Sequence, residues 1–197
     1  MGLQFGPDPA SAERATLGGC LANNATGAHS IQYGMAADHL LEVEMVLGDG
    51  SVARFGPVGL NRLDANRENS ENAHSHNIAL GKETPSTLSC EGRLYQAVAS
   101  VREGWGDEIR RRWPKTWRRA SGYNLNYLLP WSPTQPPDWA SQAQHAGQAL
   151  SYPPIAAGTL NLAPLFAGSE GTLGIIRRAK LRLCRLPEKT VLAVLPF

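Results

Sequence analysis

Three short stretches carry residue types that could hold a ligand by its main chain. They are Thr16-Leu17-Gly18-Gly19, Asn23-Asn24-Ala25-Thr26 and Gly168-Ser169-Glu170-Gly171-Thr172-Leu173-Gly174-Ile175. The first two lie in a Gly-, Pro- and Asn-rich run from Phe5 to Gly34, which contains Pro7-Asp8-Pro9-Ala10-Ser11. Proline fixes φ and removes a donor, glycine reaches conformations that other residues adopt only at a cost, and asparagine tolerates the left-handed region. Small side chains also let amide groups approach phosphate or heterocycle atoms directly. The chemistry that suits these stretches is recognition by backbone. An ordinary surface loop has the same composition, and the pattern alone leaves both readings open.

Other reactive residue types are sparse. Cys20, Cys90 and Cys184 form no C-x-x-C pair, so they are expected to be reduced and structural rather than a disulfide frame or zinc site. His74 and His76 could hold a metal only with help from elsewhere, and a solvated loop suits them better. Arg110 to Arg119 holds Trp113, Lys115 and Trp117 among its arginines, a pattern that can bind phosphates and stack on bases. The preferred reading is a solvated helix end whose tryptophans pack inward.

The elements that must position these stretches follow from periodicity. Ser11 is expected to cap a helical turn that Gly18-Gly19 ends. Leu40 to Phe55 reads as a hairpin: Leu41, Val43 and Met45 alternate with Glu42 and Glu44, and Gly48-Asp49-Gly50 supplies the turn. Leu94, Val98, Val101 and Trp105 predict one buried helical stripe. Ala179, Leu181 and Leu183 alternate with Lys180, Arg182 and Cys184 as in a half-buried strand. Residues 60–88 and 131–157 read as loops or insertions, the second Pro-rich around a helix-compatible stretch from Trp139 to Leu150. No G-x-G-x-x-G follows a strand, so a Rossmann nucleotide site is not supported.

The 197 residues suffice for one domain with a substantial core or two small lobes, and 42% apolar with 18% charged residues marks a folding, globular chain. A net charge of +2 is too small to imply a nucleic-acid or membrane partner. With no membrane span or signal peptide legible, a cytoplasmic location is the default expectation, with peripheral contact to a membrane through an electron acceptor as the alternative. The chain opens on a turn-rich motif and closes on an apolar strand-like run, Thr190 to Phe197, so it is expected to be a piece of a longer protein.

Taken in order, PDPAS, TLGG, NNATGAHSIQYG, SGYNLNYLL and GSEGTLGI resemble the FAD-linked oxidases of the vanillyl-alcohol oxidase type, in the glycolate oxidase, D-lactate and D-2-hydroxyglutarate dehydrogenase branch. ATGAHS and RRASGYNLNYLL look closest to the large members that carry an iron–sulfur region at their far C-terminus. The resemblance implies an α+β fold, a mostly antiparallel sheet flanked by helices, corresponding to the second of two FAD-binding subdomains. The subdomain with the Gly-rich pyrophosphate loop would precede Met1, and the substrate-capping domain would follow Phe197.

By the same resemblance Pro7, Asp8, Pro9, Ala10 and Ser11, with Thr16, Gly18 and Gly19, line the flavin and its diphosphate. Asn23, Asn24, Ala25 and Thr26 continue that wall. Glu170, Gly171, Thr172, Leu173, Gly174, Ile175 and Ile176 close over the adenosine or ribityl side, and Tyr123 and Asn124 face flavin ring and substrate. The activity implied is hydride transfer from a D-2-hydroxy acid to FAD, with the catalytic base on the cap and the isolated chain inactive. A flavin-binding module without that activity is the rival. Thr26-Gly27-Ala28 departs from the second glycine that many relatives place after Asn-Ala, which alters the contacts expected there. His29 is a candidate base or flavin attachment point, although a structural hydrogen-bonding role suits a lone histidine better.

Overall fold

The structure, a computed structural model, describes residues 2–61, 63, 89–116, 118–129, 131, 158–189 and 191. The expected loops at 60–88 and 131–157, the helix-compatible stretch from Trp139, His74, His76 and the run from Thr190 to Phe197 lie almost wholly outside these residues. The described chain is α+β, and every strand pairing is antiparallel.

The central sheet has the order β3-β2-β6, with β2 at Leu40–Val46, β3 at Val52–Phe55 and β6 at Ile175–Leu181. The hairpin forms as its pattern predicts: Val43 and Met45 are buried beside Ala53 and Phe55, while Glu42, Glu44 and Arg54 take the other face. Leu47 N donates to Ser51 O at 2.9 Å, and the Asp49 carboxylate accepts from the amide and hydroxyl of Ser51. Two small ladders flank this sheet: β1 (Leu3–Gln4) with β7 (Cys184–Arg185), and β4 (Pro57–Gly59) with β5 (Thr159–Asn161). Strand β6 stops at Leu181 rather than running through Leu183. Arg182 N donates to His39 O at 2.8 Å, which turns the chain off the ladder and leaves Leu183 exposed.

Helices α1 (Leu17–Ala22), α2 (Ser30–Tyr33) and α3 (Ala36–His39) precede the sheet. The long helix α4 spans Cys90–Arg112, and Ala163–Phe166 forms α5. The expected helix start and stop near Ser11 and Gly18 are displaced. Residues 11–15 form only a turn closed by Ser11 O, whereas Thr16 caps α1 by accepting from Gly19 N at 3.1 Å. Gly18 and Gly19 thus begin a helix rather than end one.

The expected stripe on α4 is also rotated. Leu94 and Val98 are half-buried against the core, but Val101 and Trp105 are exposed, and Tyr95, Gly106 and Ile109 are the buried positions. Two contacts set this face. The Tyr95 hydroxyl donates to Gly56 O at 2.5 Å and accepts from Gly56 N at 2.9 Å, and Gly106 lies within reach of the Leu129 side chain. The core they close contains Phe55 and Phe166, with ring centroids 4.8 Å apart, together with Leu21, Met45, Tyr127 and Leu160. Burial of such residues contributes roughly 1.5–3 kcal/mol each.

Candidate functional site

Helix α1 has six residues, fewer than two turns, so its last carbonyls need partners from elsewhere. The loop after α5 supplies them: Gly168 N donates to Leu21 O and Glu170 N to Ala22 O, each at 3.0 Å. Thr172 N folds back onto Ser169 O at 2.9 Å. The first and third glycine-rich stretches, distant in sequence, are thereby joined by main-chain hydrogen bonds.

A cavity of about 350 Å³ opens between them, within the roughly 300–1,000 Å³ range of small-molecule sites. Thr16, Gly18, Gly19 and Ala22 form one wall and Ser169, Gly171, Gly174, Ile175 and Ile176 the other. None of these nine residues is charged. At Gly18 and Gly171 an added Cβ would meet no protein atom within 4 Å, so both glycines leave open space where a side chain would stand. Ile175, 70% exposed, gives the mouth an apolar edge.

Of the expected cofactor residues, Thr16, Gly18, Gly19, Gly171, Gly174, Ile175 and Ile176 meet at this cavity. Glu170 stands beside it in the left-handed region (φ 50°). Leu173 packs against the core, and Thr172 bonds to Tyr123. Ala22 and Ser169 also line it, although the resemblance assigns neither to the cofactor. Helical spacing from Gly18 points to the former, and the latter lies inside the GSEG motif.

The Pro7–Ser11 turn sits elsewhere, against residues 27–30. Ser30 Oγ donates to Pro7 O at 3.3 Å and accepts from Gly27 N at 2.9 Å. His29 Nδ1 meets Asp8 Oδ2 at 2.8 Å, which gives His29 a hydrogen-bonding role, and Asp8 itself adopts φ 45°.

Asn24, buried with φ 47°, is directed inward. Its Oδ1 accepts from Ala37 N at 2.9 Å, and its Nδ2 faces Arg119 O at 3.2 Å and Asn124 Oδ1 at 3.5 Å. Asn124 donates in turn to Pro164 O at 3.2 Å and Ala167 O at 2.8 Å. These two amides fasten loops together beneath the surface. Asn23 ends α1 through its own amide, and Ala25 packs against the core.

Residues 118–124 run as a strap across both loops. Gly168 lies close to Ala120 O, Gly122 O and Asn24 Cβ. At one end Arg118 Nε donates to Thr26 Oγ1 at 3.2 Å, and at the other the exposed Tyr123 hydroxyl is 2.9 Å from Thr172 Oγ1. The neighbouring basic residues are compensated. Arg110 pairs with Asp107 at 2.9 Å, Arg111 and Arg112 pair with Glu108, and Arg119 lies 4.7 Å over the Trp113 ring. Trp113 is half-buried, in line with the helix-end reading.

Below the strap Asp38 is buried, accepting from Met35 N at 2.7 Å and from the Tyr127 hydroxyl. Burial raises its pKa above the ordinary carboxylate value, against the opposing pull of those two hydrogen bonds. Cys20, Cys90 and Cys184 are free thiols, and burial raises the pKa of Cys20 and Cys184. No group of His, Cys, Asp and Glu able to hold a metal occurs among the described residues, and no described helix is long and apolar enough to cross a membrane.

Comparison with known proteins bears out the family resemblance. Residues 1–56 match a family model described as "FAD binding domain". Over 187 residues the chain is 29% identical to a D-2-hydroxyglutarate dehydrogenase of Pantoea ananatis, covering 95% of this chain and 14% of that protein. The D-2-hydroxyglutarate dehydrogenase of Escherichia coli gives 27% over 187 residues, 95% of this chain and 14% of the relative. A D-lactate dehydrogenase of Archaeoglobus fulgidus is 44% identical over 55 residues, 28% of this chain and 12% of its own length. The chain therefore spans about one-seventh of the D-2-hydroxyglutarate dehydrogenases it matches. The cofactor is FAD, and the uncharged, backbone-walled cavity with open glycine positions fits a heterocyclic portion of it.

Proposed function

We propose that this chain is the FAD-holding part of an oxidoreductase that oxidises a D-2-hydroxy acid of the lactate, glycolate or 2-hydroxyglutarate type. The carrying observation is the cavity formed where Thr16–Gly19 meets Gly168–Ile176. Similarity along 95% of the chain to D-2-hydroxyglutarate dehydrogenases supports the substrate class.

In this reading the backbone of Gly18, Gly19, Gly171 and Gly174 approaches the cofactor, while Ile175 and Ile176 give it an apolar wall and exclude water. When bound, FAD supplies the acceptor for the hydride leaving the α-carbon. The substrate hydroxyl must also lose a proton to a base, and the carboxylate must meet a cation. Among the described residues the cavity walls hold neither, and in this reading both groups come from beyond them. Tyr123, anchored to the loop through Thr172, stands at an exposed position from which it can order substrate. We expect the 197-residue chain alone to bind FAD weakly and to turn over little, because it corresponds to 14% of its relatives' length.

Fluorescence titration with FAD, followed by anaerobic addition of D-2-hydroxyglutarate, D-lactate or glycolate to the full-length protein, tests the reading. Bleaching of the flavin absorbance by one of these acids supports it. FAD that binds yet stays oxidised with all three would reduce the protein to a flavin-binding module. Sub-micromolar FAD affinity in the 197-residue chain would overturn the expectation of weak binding.

A further inference from the structure

We propose that Arg118, held by the Thr26 hydroxyl, receives the carboxylate of the acid substrate, an assignment that rests on the 2-hydroxy-acid reading above. In the basic run from Arg110 to Arg119, Arg110, Arg111 and Arg112 have carboxylate partners one helical turn away, and Arg119 stacks on Trp113. Arg118 instead donates to a neutral hydroxyl, and among the described residues no carboxylate pairs with it.

With Nε engaged by Thr26, the Nη1 and Nη2 edge presents parallel N–H donors, the fork that matches a planar carboxylate end-on. The side chain is exposed, so the fork is accessible. Thr26 supplies the hydroxyl that orients the guanidinium, and a side chain without one would leave Nε unheld.

Arg118 begins the strap that Asn24 ties to Arg119 O, that passes Gly168 at Ala120 O and Gly122 O, and that reaches Thr172 through Tyr123. Its strap thus crosses the two loops that carry the cavity walls, and among the described residues those walls hold no charge to meet an anion. An arginine fork pairs with a carboxylate or a phosphate alike, and the FAD affinity of the variants separates the two.

The test uses the full-length protein loaded with saturating FAD. Calorimetric titration with D-lactate and D-2-hydroxyglutarate is compared between wild type, Arg118→Ala, Arg118→Lys and Thr26→Val, with methyl D-lactate as the uncharged control. Arg118→Ala is expected to weaken binding of at least one acid tenfold or more and to raise KM correspondingly, with kcat within about threefold. Lysine recovers part of the loss, Thr26→Val weakens binding two- to fivefold, and the methyl ester is unaffected. Unchanged acid affinity in Arg118→Ala, or wild type that binds neither acid, would overturn the assignment. So would a parallel loss of FAD affinity, which would point to the cofactor phosphates instead. Should Arg118→Ala fail to fold, Thr26→Val decides, because unaltered acid binding there removes the oriented fork. Flavin bleaching in the same samples keeps the two readings apart. Arg118-dependent acid binding without bleaching upholds this assignment and sinks the dehydrogenase reading, whereas bleaching with an unaltered KM in Arg118→Ala does the reverse.

Discussion

Two glycine contacts in the first thirty residues look alike in sequence and do opposite things. At Gly27 an added Cβ would stand 1.8 Å from Asp8 O and 2.4 Å from Pro7 O, so the missing side chain makes room for the protein's own backbone. At Gly18 the same atom would meet nothing within 4 Å, and the room lies in the cavity. The first contact is a closed seam, reinforced by Ser30 and His29; the second is an opening. Glycine content alone marks a place where bulk is forbidden, and only the neighbouring atoms tell whether protein or ligand forbids it.

The sharpest way to break this contrast is Gly27→Ala. A methyl group forced into backbone has no rotamer to escape into, and stability should fall by about 3 kcal/mol or more, read as a shift of the urea midpoint. Asp38→Asn comes next, at about 1–3 kcal/mol, because Met35 N loses its carboxylate acceptor while the Tyr127 hydroxyl can keep one. Its pH dependence has a definite sign. The raised pKa of Asp38 means that its contribution is fully present below the ordinary carboxylate value of about 4 and is lost as pH rises through the higher folded value. The stability gap between wild type and Asp38→Asn should therefore narrow from pH 4 toward pH 7, and a widening gap would contradict the direction given.

Gly18→Leu probes the open side. Leucine suits a helix, so stability should move by less than about 1 kcal/mol, while FAD affinity drops at least tenfold, about 1.4 kcal/mol, as the side chain enters the cavity. Unchanged FAD binding would mean that the cavity is not the cofactor's. The smallest effect belongs to the exposed pair that trims the seam. His29→Ala should cost less than about 1 kcal/mol in thermal melts.

Local alternation and turn chemistry made the Leu40–Phe55 hairpin legible, since every face assignment from Val43 to Phe55 depends on neighbours within that hairpin. Motif order made the FAD resemblance legible too. What escaped depended on distant partners. Gly18-Gly19 looked like a helix stop because a breaker rule ignores an N-cap two residues earlier, here Thr16. Apolar spacing put Trp105 inward, but α4 is rotated by Tyr95 bonding to Gly56 and by close approach at Gly106, neither of which a count of apolar residues detects. Asn24 reads as part of the cofactor wall and Asn124 as facing flavin ring and substrate, yet the side-chain amides of both reach carbonyls supplied by remote loops. The Arg118–Thr26 contact links residues too far apart for any local pattern to announce.

The bonds from Gly168 and Glu170 to the end of α1 also carry a consequence for how the protein is made. They join segments roughly 150 residues apart, a span whose closure entropy must be met before either loop gains anything. On the ribosome, the TLGG stretch emerges before the GSEG loop, and Ala22 O has to wait for its partner until that loop clears the exit tunnel. During that interval the cavity does not exist, and its two walls come together only after most of this segment has been synthesised.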